Sequence, residues 1–200
     1  TVNLKVMKKF FMMAVMTVLT ITASAQVEKG MRYGLTFTGT MSKYSELPNA
    51  ENTFGYGGGF ILEYNFTPNV YLGSGLEFGL RGTKVQTLDV AGKTFLVDYS
   101  LKSYNLIIPV NIGGRVNLSK NLALFAQVGP YASYAIKKAE LEILGYSTIS
   151  GENFDWGFNG KIGIEFSQIQ LFGGYELGMK EVWPEEAKNH SVVFGVGYTF

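Results

Sequence analysis

From residue 30 onward the chain alternates. Large apolar and aromatic side chains recur at every second position, with polar, charged or small residues between them. That period predicts eight strands, at 31–41, 53–66, 70–82, 101–117, 122–137, 154–166, 169–180 and 190–200. At about 10 to 17 residues they exceed the ~5–6 of ordinary globular strands and suit the ~9–11 that a tilted strand needs to cross a bilayer. The connections alternate as well: 67–69, 118–121 and 167–168 are tight turns, whereas 42–52, 83–100, 138–153 and 181–189 are long and polar. This order predicts an eight-stranded antiparallel up-and-down transmembrane β-barrel, with four long outer loops and both chain ends on the short-turn side.

The two parities of each strand differ sharply. One is nearly free of charge, for example Phe54, Tyr56, Phe60, Leu62, Tyr64 and Phe66 in the second strand and Trp156, Phe158, Ile162, Ile164 and Phe166 in the sixth. The other carries glycines and most strand charges: Glu63, Glu77, Arg81, Arg115, Lys161, Glu165 and Glu176. Periodicity does not say which face is inside. A soluble barrel would turn the apolar face inward and form a ligand cup; a membrane barrel inverts the assignment. The bulk of the aromatic face and the narrowness of an eight-stranded interior favour the membrane barrel. So do the glycines at Gly55, Gly57, Gly59, Gly73, Gly75, Gly79, Gly163 and Gly174 on the charged face, where they would make room for long side chains. On this reading the seven charged residues form an ion-pair network that plugs the lumen.

The final stretch, SVVFGVGYTF, keeps the period to its end, with Val192, Phe194, Val196, Tyr198 and Phe200 on one face. It resembles the C-terminal strand read by the outer-membrane assembly machinery of Gram-negative bacteria, which makes that machinery and outer-membrane lipid the expected partners. At the other end, Lys5, Lys8 and Lys9 precede an apolar run at 10–21 and the small-residue site Ala23, Ser24, Ala25. These are the three regions of a cleaved secretory signal peptide over residues 1–25, with the barrel domain at 26–200 and Met7 as the expected start. The apolar run is short of the ~20 residues of a spanning helix.

Charge and composition then narrow the function. Without the three signal lysines, the 17 basic residues fall to about 14 against 16 acidic, a balance that argues against nucleic acid as a partner. There is no cysteine, so neither disulfides nor thiolate metal sites enter. No phosphate loop, metal motif or nucleophile motif stands out, and no cofactor is expected. A monomer with an unknown extracellular ligand is the expected form.

The segments YNLIIPV at 104–110 and GPY at 129–131 resemble the PorT-like outer-membrane β-barrel family of Bacteroidetes, and strand spacing extends the resemblance over 27–200. The resemblance implies a small barrel in the outer membrane of a diderm bacterium and little about activity. A proline inside a strand forfeits a ladder hydrogen bond and predicts a bulge or bend there.

Three functions follow from this reading. The first is a non-enzymatic structural or surface-recognition barrel acting through its outer loops. The second is a narrow porin-like pore for small solutes. The third is a lipid-modifying enzyme built on His190, the only histidine, with neighbouring Ser191 and a carboxylate from Glu185 or Glu186. Adjacent strand residues point to opposite faces, which weighs against the third. The loop 181–186 joins a tryptophan to acidic residues, and ELEILGYSTI within 138–153 alternates enough to continue a hairpin beyond the membrane.

Overall fold

The computed structural model describes residues 29–45, 50–90, 93–137, 140–143, 147–150, 152–183 and 187–200. The expected signal peptide and the two acidic residues Glu185 and Glu186 lie outside the described residues. The elements are β1 (Gly30–Tyr44), β2 (Ala50–Asn65), β3 (Val70–Val90), β4 (Lys93–Asn117), β5 (Leu122–Lys137), β6 (Glu140–Ile143), β7 (Ser147–Ser150), β8 (Phe154–Phe166), β9 (Ile169–Trp183) and β10 (Ala187–Thr199).

Eight of these strands close into one antiparallel barrel, in the order β1-β10-β9-β8-β5-β4-β3-β2. Closure is made by β1 and β10, paired from Gly34↔Thr199 to Tyr44↔Asn189. Beyond that ladder the Phe200 N–H donates to the Tyr33 carbonyl at 2.7 Å, so pairing reaches the last residue. A closed sheet has no edge, and that is the condition for a strand structure to sit in hydrocarbon, where an unpaired backbone group costs several kcal/mol. The short turns all lie at one end. Phe66 N–H donates to Val70 O at 3.0 Å and Leu118 N–H to Leu122 O at 2.8 Å. Ser167 opens the two-residue β8–β9 turn in the left-handed region, with φ 56°. Positive φ at that position matches the twist of a tight hairpin.

The long-loop end differs from expectation. The segment 83–100 is not a loop: β3 and β4 run on to Val90 and Lys93, and their ladder continues through Thr87↔Leu96, Leu88↔Phe95 and Val90↔Lys93. Only residues 91–92 connect them. The sequence TKVQTLDV and KTFLVDYS is rich in β-branched and aromatic residues, so its propensity is for strand despite the scattered charges. β2 leaves the ladder at Ala50↔Val85 and β5 at Tyr104↔Lys137, so the far part of this hairpin is a two-stranded ribbon standing beyond its neighbours. In the same way β1, β2, β9 and β10 extend into the segments expected as loops at 42–52 and 181–189. Within 138–153, β6 and β7 pair only with each other, from Glu140↔Ser150 to Ile143↔Ser147, as a separate small sheet.

The proline in β4 makes no bulge. The β3–β4 register is the same on both sides of it, Ser74↔Val110 and Glu77↔Ile107, with the intervening pairs missing. Ser74 Oγ donates to the Pro109 carbonyl at 2.9 Å and so holds the strands together across the gap. On the other side Pro109 stands opposite Tyr131, which makes YNLIIPV and GPY cross-strand neighbours.

Burial decides which face is inside. The exposed residues include Phe37, Phe54, Phe60, Ile112, Val128, Phe158, Ile162 and Phe200, while Glu63, Arg81, Arg115, Asn159 and Glu165 are buried. An apolar exterior of this extent around a charged interior is the inverse of a water-soluble domain and fits a hydrocarbon surround. Ile162, near the middle of β8 and 69% exposed, is the sharpest probe of that surface. Ile162→Arg should cost about 2–4 kcal/mol of folding stability in lipid vesicles by urea titration, as expected for a midplane position. On a soluble barrel the same change would be nearly neutral.

Candidate functional site: the polar interior

Alternation aims one side chain in two at the barrel axis, and strand stagger decides which of them share a level. At the short-turn end Arg115 of β4 is the hub. Its Nη2 donates to Glu63 Oε2 at 2.9 Å, its Nη1 to Asn65 Oδ1 at 3.0 Å and its Nε to Glu165 Oε2 at 3.2 Å. Glu63 and Glu165 come from β2 and β8, on different parts of the wall, and Gln170 Nε2 bridges them at 3.1 and 3.2 Å. Arg32 of β1 closes the group, donating to Glu165 Oε1 at 3.0 Å and to Thr199 Oγ1. Two cations thus face two carboxylates. The guanidinium of Arg115 also lies 4.6 Å from the centre of the Tyr71 ring, a cation–π contact.

The Tyr71 ring fits because its cross-strand partner is Gly113, where a Cβ would overlap the ring. Phe125 fits against Gly163 and Phe172 against Gly195 in the same way, while Gly174 gives room to the Lys161 stem. The interior glycines therefore admit aromatic rings as well as charged chains.

The next level holds Lys161, whose Nζ donates to Glu77 Oε1 at 3.0 Å. Beside it Asn111 and Asn159 exchange reciprocal amide hydrogen bonds of 3.0 and 2.9 Å. The cavity lined by Glu63, Glu77, Asn111, Gln127, Lys161 and Gln170 has a volume of only about 20 Å³, room for about one water molecule. Towards the long-loop end Arg81 of β3 pairs with Glu176 of β9, and its guanidinium lies 5.2 Å from the Tyr131 ring centre. Tyr131 Oη donates to Asp155 Oδ2 at 3.2 Å.

The seven charged residues marked by parity thus all lie in the interior, but they form three groups rather than one network. Parity would also have found Arg32 and Asp155, which complete two of the groups. The five alternating residues of the last strand face outward, with Val192, Phe194, Val196 and Phe200 exposed and Tyr198 half-buried. Tyr198 Oη donates to Gln168 Oε1 at 2.7 Å across the β8–β9 turn. The Ser–His arrangement does not assemble. Ser191 is 1% exposed on the inner face, where it accepts from Asn189 Nδ2, while His190 lies on the outer face with its Nδ1 2.8 Å from Tyr175 Oη.

Comparison with known proteins agrees with this architecture. A family model described as "Outer membrane protein beta-barrel domain" matches residues 11–200. Neisserial surface protein A is similar in structure, with a TM-score of 0.52 and 12% identity over 86% of this chain and 100% of that one. The outer membrane protein OprG from Pseudomonas aeruginosa is similar with a TM-score of 0.50 and 11% identity, over 88% of this chain and 98% of that one. Among curated proteins no sequence matches.

The charge groups give a stability test. Removing one partner of a buried pair strands the other, which costs about 3–5 kcal/mol, whereas apolar replacement of both is often close to neutral. Lys161→Met should therefore destabilise the folded barrel in detergent by about that amount. The double variant Lys161→Met with Glu77→Leu should recover most of the loss, as read from urea unfolding midpoints.

Proposed function

Because the chain belongs to the outer-membrane protein β-barrel domain family, we propose that it is a non-enzymatic outer-membrane barrel that acts by surface recognition through its long-loop end. The observation that carries this reading is the contrast between the two parts of the molecule. Among the described residues the lumen holds charge pairs and rings around a cavity of about 20 Å³, room for about one water molecule, which supports a plug rather than a solute path. The long-loop end, by contrast, raises the β3–β4 ribbon beyond its neighbours and carries the separate β6–β7 sheet. The ribbon's outer backbone edges are not paired by β2 or β5, the arrangement to which an extended peptide adds as a further strand.

In this reading the long-loop end faces outside and the short turns face the periplasm, the usual arrangement of such barrels. The outward row Val192, Phe194, Val196, Tyr198 and Phe200 then serves as the assembly signal, and outer-membrane lipid covers the apolar wall. The barrel acts as a monomer whose ligand is extracellular. The neighbouring YNLIIPV and GPY segments support a PorT-like assignment within the family. The residues 1–25 act as a cleaved export signal.

Four experiments test the proposal. The purified barrel should give no single-channel steps in planar bilayers; regular steps would establish a pore and overturn the plugged-lumen reading. Proteinase K added to intact cells should cut the ribbon between 86 and 98 while the barrel stays membrane-bound. Cells displaying a variant with that ribbon trimmed to a tight turn should lose attachment to protein-coated surfaces. Deleting Phe200 should cut the yield of the SDS-resistant, heat-modifiable form several-fold.

A further inference from the structure

The outward face of the closing seam changes character along its length. From the short turns upward, the β1–β10 register faces Leu35 with Tyr198, Phe37 with Val196, Gly39 with Phe194, Met41 with Val192, and then Lys43 with His190. Met41 and Val192 are exposed apolar residues, Lys43 is exposed and His190 half-buried, so the row passes from hydrocarbon side chains to basic ones in one step. Register partners share a face, with Cβ atoms about 4.5–5.5 Å apart. Lys188 follows two residues from His190 at the same parity, and Ser45 N–H donates to its carbonyl at 2.8 Å, so the seam is still paired there.

The place of that step has a physical meaning. The outward apolar row of β1 runs over the nine residues from Tyr33 to Met41. At about 3.3 Å per residue and a tilt of about 40°, it rises about 23 Å, against an apolar band of about 25 Å in such barrels. Hydrocarbon therefore ends near Met41 and Val192, and Lys43 and His190 stand at the depth of the lipid headgroups. Tyr175 of β9, itself exposed, lies with its Oη 2.8 Å from His190 Nδ1 and the ring centres 6.1 Å apart, which fixes the imidazole on this wall. A tyrosine with its ring towards lipid and its hydroxyl towards water belongs at that depth. None of the ion pairs among the described residues takes in Lys43. Glu181 of β9 stands opposite Lys188, beyond the Lys43–His190 pair. At the short-turn end the same face ends instead on the aromatics Tyr33, Tyr198 and Phe200.

We propose that the phosphate-bearing headgroup of an anionic membrane lipid docks between Lys43 and His190 and bridges β1 to β10 across the seam. Two basic groups directly opposite one another on a sheet repel when both are charged, and an anion between them turns that repulsion into attraction. The apolar row beneath, Met41, Val192 and Phe194, is where the acyl chains of the same molecule lie, and this favours a lipid over free phosphate as the occupant. The ladder that closes the tube is then held by lipid as well as by its own hydrogen bonds. The inference rests on the bilayer surround of the apolar wall and not on the recognition role proposed above.

The test compares urea unfolding midpoints of the refolded barrel in phosphatidylcholine vesicles with and without a minor fraction of phosphatidic acid, at low ionic strength. The wild type should unfold at higher urea when phosphatidic acid is present. Any lysine near an anionic bilayer adds a general attraction, and Lys120→Gln, in the exposed turn at the other end, measures that background. The double variant Lys43→Gln with His190→Gln should lose at least half of the shift, whereas Lys120→Gln should keep most of it. Heat-modifiability on gels confirms that each variant is folded; should the double variant not fold, Lys43→Gln alone decides the matter. Inorganic phosphate added to the pure phosphatidylcholine vesicles should give no shift. No shift in the wild type, an equal shift in the Lys43 variants, an equal loss in Lys120→Gln, or the same shift from inorganic phosphate would each overturn the lipid bridge.

Discussion

The seam between β1 and β10 is the constraint on which the rest of the molecule depends. Gly34 through Tyr44 pair with Thr199 back to Asn189, and this one ladder turns a curved sheet into a tube without edges. Without it, two strands would present unpaired N–H and C=O groups to hydrocarbon. With it, the remaining strands need only alternate. The apolar parity takes the bilayer, and the polar parity is confined to a lumen whose volume the closure itself fixes.

Confinement explains the chemistry inside. A narrow tube brings charges from different strands within contact distance, so desolvation must be offset by pairing and hydrogen bonding. Arg115 meets this by using Nε, Nη1 and Nη2 at once, on Glu165, Asn65 and Glu63. Glycines opposite Tyr71 and Phe172 let rings occupy the space the charges leave. At the short-turn end two guanidinium groups meet two carboxylates, while the unpartnered buried side-chain atoms among the described residues lie towards the long-loop end. Polar capacity rises towards the mouth, where the projecting strands also are.

Much of this was legible in the sequence because a period of two is a strong signal over long strands. Parity alone marked Glu63, Arg115 and Glu165 as inward. It could not place them in one group, since Glu63 and Glu165 are 102 positions apart and meet only through the stagger of a closed sheet. The ribbon was hidden for another reason. In TKVQTLDV and KTFLVDYS both parities carry polar residues, so the cue that marked the membrane strands is missing there. Pro109 likewise suggested a bulge, and only the hydrogen bond from Ser74 shows how the register survives it.

The central claim is that the apolar face is outside and the charged face inside. The chain has no cysteine, so single cysteines can be introduced one at a time along β8 and spin-labelled without background. Collision with oxygen, which concentrates in lipid, should be high at 156, 158, 162 and 164 and low at 155, 159, 161 and 165 in the vesicle-inserted protein. The opposite phase, with the even positions shielded and the odd ones open to aqueous quencher, would turn the barrel inside out and contradict the account.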